Sequence, residues 1–167
     1  MVVILLADGF EELEALSPLD ILLRAGIDAK TVGMNGKTVT GTHGVRVIAD
    51  LLPEEVPLAE LEAVILPGGM PGALNLDAHP FTDTVINEII KKSGRLAAIC
   101  AAPLILGRRG LLREKNATCF PGFEGELTGA NVLDAPVITD GKITTAKNFE
   151  CAFAFGKEIA GLIKEKK

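Results

Sequence analysis

The residue with the most chemistry to offer is a cysteine. Cys100 follows the apolar run Leu96–Ile99 and precedes Ala101-Ala102-Pro103, which places it on a strand-to-helix turn. Its small neighbours Ala98, Ala101 and Ala102 suit a tight, strained turn. The layout is that of a nucleophile elbow without the flanking glycines of the hydrolase version. A thiol there faces the positive end of a helix dipole, which lowers its pKa and raises the thiolate fraction. First-turn N–H groups can receive a developing oxyanion, and Pro103 fits that turn because its missing N–H does no harm there. The competing reading is a small buried hydrophobe, since free cysteine is among the most buried residue types.

Two further features lie where other strands end. Gly68-Gly69 directly follows the apolar run Ala63–Leu66 and Pro67. Paired glycines let a backbone turn sharply and approach a ligand closely, although a plain strand-ending turn would use them too. The run through Gly72 is not a phosphate loop, for it lacks the Gly-Lys-Ser/Thr ending and the dinucleotide spacing. Glu11, Glu12 and Glu14 follow the first strand. Glu11 and Glu12 read as surface acids favoured by the helix dipole. Helical spacing alone also puts Glu14 in solvent. Buried instead, its carboxyl would have a raised pKa and could shuttle a thiol's proton.

The other titratable groups say less. His43 lies in the turn Gly41-Thr42-His43-Gly44 and reads as exposed, a possible neighbour of any pocket formed there. His79 precedes Pro80 and a helix. Cys119 and Cys151 read as packed or near-surface thiols, and Asp20 with Arg24 as an i, i+4 surface ion pair.

The elements that must position these groups alternate. Val2–Leu6, Ala29–Val32, Ala63–Leu66 and Leu96–Ile99 read as strands, three of them unbroken apolar runs of the kind buried on both faces. Short strands are expected at 39–40, 45–48 and 117–119. A hairpin over 137–145 turns at Asp140-Gly141-Lys142. Helices are expected over 10–25, stopped by Gly26 and either kinked or split at Pro18, and over 81–92, 101–109 and 149–164. The closing Lys and Glu residues read as a solvated end. This alternation predicts an α/β fold: a mostly parallel sheet covered on both faces, in one domain spanning 1–167. Ligands in such folds bind beyond the carboxyl ends of the strands, where the strand order reverses. Cys100, Gly68-Gly69 and the 8–14 segment all fall there.

Composition excludes several classes. With 48% hydrophobic residues among 167, the chain can bury a core and is not disordered. A net charge of −5 argues against strong nucleic-acid binding, and the one basic cluster, Arg108, Arg109, Arg113 and Lys115, reads as a solvated loop. The absence of Trp and Tyr removes the usual platforms for stacking a flavin or a base. Three cysteines without a Cys-x-x-Cys pair fit a reducing, cytoplasmic compartment rather than a disulfide framework. Two histidines give no zinc pattern, and no stretch reaches membrane-span length. No metal, organic cofactor or membrane partner is expected.

Taken together, Asp8-Gly9-Phe10-Glu11-Glu12-Leu13-Glu14, Leu66-Pro67-Gly68-Gly69 and Ala98-Ile99-Cys100-Ala101-Ala102-Pro103 resemble the DJ-1/ThiJ/PfpI superfamily, and most closely its DJ-1-like branch. The resemblance covers nearly the whole chain. It implies a flavodoxin-like three-layer sandwich and a homodimer. It also implies a nucleophilic Cys100 prone to oxidation, a buried Glu14 that holds a proton against the sulfur, and an oxyanion and substrate pocket at Gly68, Gly69, Ala101 and Phe120. The activities it implies are glutathione-independent glyoxalase and deglycase chemistry on small carbonyls or glycated proteins and nucleotides. A redox-sensing stress chaperone and a cysteine peptidase or amidase are the alternatives. The chain departs from the family pattern at Ala101, where the PfpI branch carries His, and at Phe120, where many relatives carry His. It departs again at Ala146-Lys147-Asn148-Phe149-Glu150, where relatives often read Ser-Arg-Gly-Pro-Gly. A Cys–Glu pair is therefore expected rather than a Cys–His pair, beside an altered pocket wall.

Overall fold

Val2–Leu6 form β1, and all five side chains are buried. Successive strand residues point to opposite faces. Val3 and Leu5 thus join one core cluster, and Val2, Ile4 and Leu6 the other. A strand buried on both faces needs helices on both sides, and the computed structural model, which describes residues 1–165, supplies them. Helix α1 (Glu12–Arg24) and strand β2 (Ala29–Gly33) follow. A small hairpin of β3 (Thr38–Thr40) and β4 (Arg46–Ile48) leads to β5 (Ala63–Leu66). Then come α2 (Gly72–Ala78), α3 (Pro80–Lys91), β6 (Arg95–Ile99) and α4 (Pro103–Arg108). The chain continues through β7 (Asn116–Ala117), β8 (Asn131–Val132), β9 (Val137–Asp140) and β10 (Ile143–Ala146) to α5 (Ala152–Lys164).

The six-stranded sheet has the order β2-β1-β5-β6-β10-β9. All neighbours are parallel except the edge strand β9, which runs antiparallel to β10. α1 and α5 cover one face through Ala15, Leu22, Phe155, Ile159 and Ile163. α2, α3 and α4 cover the other through Leu76, Val85, Ile86, Ile89, Leu104 and Ile105. The mixed, mostly parallel sandwich expected from the apolar runs is the one observed. Its strand order reverses at β1, whose neighbours are β2 and β5. The loops after β1, β5 and β6 therefore meet at one end of the sheet.

Several elements differ in extent from the sequence reading. Pro18 lies inside a single helix, not at a break. A Cβ on Gly156 would come within 2.8 Å of Pro18 Cα, so the glycine lets α5 approach α1 at the proline. α2 was not expected, because a seven-residue helix leaves little periodicity to detect. α4 is shorter than 101–109, since residues 100–102 form the turn that enters it. The strand expected over 117–119 is only Asn116–Ala117, and residues 149–151 form a 3₁₀ turn ahead of α5.

Three members of the basic cluster are ion-paired, while Arg113 is exposed as expected. Arg108 Nη1 reaches Asp77 at 2.6 Å and its Nε reaches Glu126 at 2.8 Å. Arg109 pairs with Asp77 and Asp83, and Lys115 lies 3.5 Å from Asp140. Asp20 and Arg24 form the expected exposed pair at 2.6 Å. Lys164 and Glu165 at the chain's end are exposed, while the rest of that run, residues 166–167, lies outside the described residues. No helix among the described residues is long and apolar enough to cross a membrane.

Candidate active site

Cys100 directly follows β6 with a φ of 64°, in the left-handed region that non-glycine residues seldom adopt. Such a conformation costs on the order of 1–3 kcal/mol and persists where the surroundings over-determine it. Here they do. The Cys100 N–H donates to Ala146 O at 2.9 Å, and its carbonyl accepts from Phe120 N–H at 2.8 Å. Ala102 N–H closes the turn onto Ile99 O at 3.0 Å. β10 and the loop carrying Phe120 thus hold the thiol at the sheet's end. Phe120 itself is 40% exposed.

Glu14 faces this sulfur. It is fully buried on α1, contrary to the solvated position that helical spacing suggested. The helix starts at an Oε2 of Glu11 that accepts the Glu14 N–H at 2.8 Å. That start turns Glu14 inward and leaves its neighbour Leu13 about half exposed. Glu14 Oε2 accepts the Gly68 N–H at 2.9 Å. Its Oε1 is buried with no hydrogen-bond partner, and the Cys100 thiol interacts with the same carboxyl. A Cβ on Gly68 would lie 2.6 Å from Glu14 Oε2 and 2.8 Å from Cys100 Cβ, so no larger residue fits between the two groups. Gly69, at φ 87°, turns the chain so that its N–H meets the sulfur, as does that of Ala101. Neither N–H bonds a backbone oxygen among the described residues. Gly68, expected in the oxyanion pocket, instead spends its N–H on the carboxylate.

The electrostatics of the pair follow from its burial. Burial raises the Glu14 carboxyl to about 7, aided by the Glu11 charge, against hydrogen bonds from Cys100 and Gly68 that lower it. Burial, then the Glu14 charge, pushes the Cys100 thiol well above its usual range, against the Ala101 and Gly69 N–H groups. The lowered thiol pKa expected from the helix dipole is therefore not found. α4 has only six residues, and its dipole is outweighed by desolvation and the facing carboxylate. Burial disfavours the charged form of both groups, and Glu14 is the carboxyl placed to exchange a proton with the sulfur.

The histidines stand apart from the thiol's own contacts. His79 Nδ1 accepts the Phe81 N–H at 3.2 Å and caps α3. His43 is exposed, as expected, and its Nδ1 lies 2.7 Å from Glu12 Oε2. Glu12, read as a surface acid, is buried. Burial raises its pKa, but bonds from His43 and Thr42 outweigh that and bring it down to about 2. Cys119 is buried, and burial pushes its thiol up to about 11. Cys151 is half-buried and donates to Asn148 Oδ1 at 3.2 Å. Glu11, Glu12 and His43 are the one group of three potential metal ligands among the described residues. Their polar atoms already serve one another and the start of α1.

The model of the DJ-1/PfpI family matches residues 1–162. The chain belongs to that family. It is 31% identical to a deglycase of Pyrococcus abyssi over 98% of this chain and 99% of that one. It is 28% identical to a glutathione-independent glyoxalase of Caenorhabditis elegans over 94% of this chain and 84% of the other. Among solved structures, a DJ-1 superfamily protein of Salmonella typhimurium superposes with a TM-score of 0.91 at 31% identity, covering 98% of this chain and 90% of that one. Family membership accords with a mixed α/β sandwich whose sheet is mostly parallel.

Proposed function

We propose that the chain is a cysteine-dependent enzyme acting on reactive 2-oxoaldehydes, or on their adducts with proteins and nucleotides. The observation that carries this reading is the Cys100 sulfur, set between a buried carboxyl able to take one proton and two amide N–H groups free to hold an oxyanion. As the sulfur attacks the aldehyde carbon, Glu14 takes the thiol proton, and the carbonyl electron pair moves to oxygen under Gly69 and Ala101. Glu14 returns the proton to that oxygen, giving a hemithioacetal. It next takes the proton from the former aldehyde carbon and delivers it to the neighbouring ketone oxygen, giving an enediol. The hydroxyl on the sulfur-bearing carbon then gives up its proton as the neighbouring carbon gains one through Glu14, which leaves a 2-hydroxy thioester. Water cleaves the carbon–sulfur bond and restores the thiol. The sum is one 2-oxoaldehyde plus one water giving one 2-hydroxy acid, with the oxidation of one carbon balanced by reduction of its neighbour. These steps need no cofactor.

The relatives named deglycase and glyoxalase support this class of substrate. A peptidase reading has less support, because His43 is held by Glu12 and His79 caps a helix, which leaves no imidazole for the thiol. A redox-sensing chaperone is the second reading. The N–H groups that face the sulfur would also stabilise sulfinate oxygens, with a protonated Glu14 as a third donor. We also propose a cytoplasmic homodimer, for which Leu23, Ile48 and Phe153, each more than half exposed, offer apolar surface. The deciding test is conversion of methylglyoxal to lactate by wild type, Cys100→Ser and Glu14→Gln. Lactate from wild type alone supports the enzyme and both roles. Lactate from none of the three refutes it, and protection of client proteins by wild type would then favour the chaperone.

A further inference from the structure

The end of the sheet away from Cys100 carries a hollow that the thiol chemistry does not use. β6 and β10 run parallel, and both start there, at Arg95 and Ile143. The Asp140-Gly141-Lys142 turn leads into β10, and Lys142 O accepts the Leu96 N–H at 3.0 Å. Between this turn, the end of α3 and the segment after α4 lies a hollow of about 440 Å³. That falls within the about 300–1,000 Å³ of small-molecule sites.

Its two sides differ in chemistry. Ile90, Leu96, Leu111 and Ile143 make one side apolar. Leu96 and Ile143 belong to the core, whereas Ile90 on α3 is 46% exposed. Lys115 and Lys142 make the rim, and among the described residues no acidic side chain lines the hollow. Lys115 Nζ stands over the turn, 3.7 Å from where a Cβ on Gly141 would lie. Asp140 is 3.5 Å from that ammonium, but its Oδ2 already accepts the Asn116 N–H at 2.9 Å. Lys142 is exposed and makes no ion pair among the described residues. Arg95 leaves β6 on the opposite face from Leu96. Its Nη1 still comes within 3.5 Å of Gly141 O, so a third cation abuts the same turn. Ser93 completes the wall. With a φ of 52° it holds the left-handed position after a helix that glycine usually fills. Glycine would relieve that strain but would bring no hydroxyl to the hollow.

Cations around an apolar cup complement an anion with an apolar body. The charge is matched best by a single negative group. α3 ends at the hollow, and the partial negative charge of its last carbonyls opposes a dianion. We propose that this hollow binds a small amphiphilic carboxylate, its head between Lys115 and Lys142 near the Ser93 hydroxyl and its hydrocarbon body against Ile90 and Leu111. The site lies at the far end of β6 from Cys100, so it stands or falls independently of the thiol's role.

Calorimetry on the full chain with octanoate, 1-octanol and octylammonium tests this. Octanoate is expected to bind once per chain, more tightly than octanol, about 10-fold more tightly than octylammonium, and less tightly as salt rises. Lys142→Ala should weaken octanoate about 3-fold, and Lys115→Ala with Lys142→Ala about 10-fold. Ile90→Ser should weaken it about 5-fold. Lys142 and Ile90 are exposed, so these variants keep the core. Lys157→Ala, on the exposed face of α5, should leave binding unchanged. No binding of octanoate by wild type overturns the proposal, as does octylammonium binding equally well. An affinity unmoved by Lys142→Ala and Ile90→Ser, or lowered as much by Lys157→Ala, overturns it too. Co-sedimentation with phosphatidylglycerol vesicles and sedimentation velocity read the rival occupants. Vesicle binding lost with both lysines, without octanoate binding, would give the cations to a membrane surface. A dimer dissociated by Ile90→Ser, without octanoate binding, would give the hollow to a second copy of the chain.

Discussion

Replacing Glu14 by glutamine removes a buried charge while keeping the side chain's shape. Oε1 of the new amide can still accept the Gly68 N–H that now bonds the carboxylate at 2.9 Å. What is lost is the ionisation. Burial raises the folded-state pKa from 4.5 to about 7, and each unit corresponds to about 1.4 kcal/mol, so ionising Glu14 in the fold costs about 3 kcal/mol. The sign follows from linkage. Folding favours the protonated form, so the stability tied to Glu14 is full below about pH 4.5 and lost as pH rises through about 7. Glu14→Gln should therefore match wild type in acid and exceed it in mild alkali. For a chain of this size about 3 kcal/mol corresponds to about 6–12 °C in Tm. The same substitution should abolish the rise of kcat/KM through about pH 7 that comes with a carboxylate base. Thermal unfolding of both proteins across this pH range, beside methylglyoxal assays, gives the two readouts. Parallel Tm curves would refute the buried, proton-holding carboxyl. A Glu14→Gln protein that keeps wild-type turnover would refute its role as base.

Gly68→Ala should cost at least about 100-fold in activity and destabilise the fold by about 1–3 kcal/mol, since its Cβ would press on Glu14 Oε2 at 2.6 Å and Cys100 Cβ at 2.8 Å; kinetics and denaturant unfolding check this. Glu12 has the opposite linkage sign to Glu14. Its pKa is lowered to about 2, so its stabilising contribution is present above about pH 4.5 and lost as pH falls toward 2; Glu12→Gln should flatten that limb of an acid-unfolding curve. Limited peroxide should add two oxygens at Cys100, which is partly accessible, and none at Cys119, which is buried at only 4% exposure. Peptide mass spectrometry reads this directly, and oxidation of both thiols to the same extent would contradict the buried placement of Cys119.

What could be read before folding, and what could not, divides along a physical line. Strands buried on both faces declare themselves as unbroken apolar runs, and Val2–Leu6 and Ala63–Leu66 appear with the bounds read from sequence. Cys100 at the end of such a run and Gly68-Gly69 at the end of another were visible for the same reason, because the sheet alone dictates where strand-end loops meet. The carboxylates were not. Counting apolar residues puts Leu13 inward and both Glu12 and Glu14 outward, yet Leu13 is 51% exposed and both glutamates are buried. Their partners are the Gly68 N–H, 54 residues along the chain from Glu14, and the turn at 42–43, about 30 residues from Glu12. A period of 3.6 registers hydrophobicity and is blind to such donors. The thiol's acidity failed in the same way, since the dipole argument used only neighbours in sequence while burial and Glu14 act through space. Sequence resemblance placed Glu14 in the site where periodicity placed it in water, because a family motif records tertiary partners that no local pattern contains. Glu12 had no such motif-borne role assigned to it, and its hold on His43 is visible only once α1 and the β3–β4 hairpin are seen to meet.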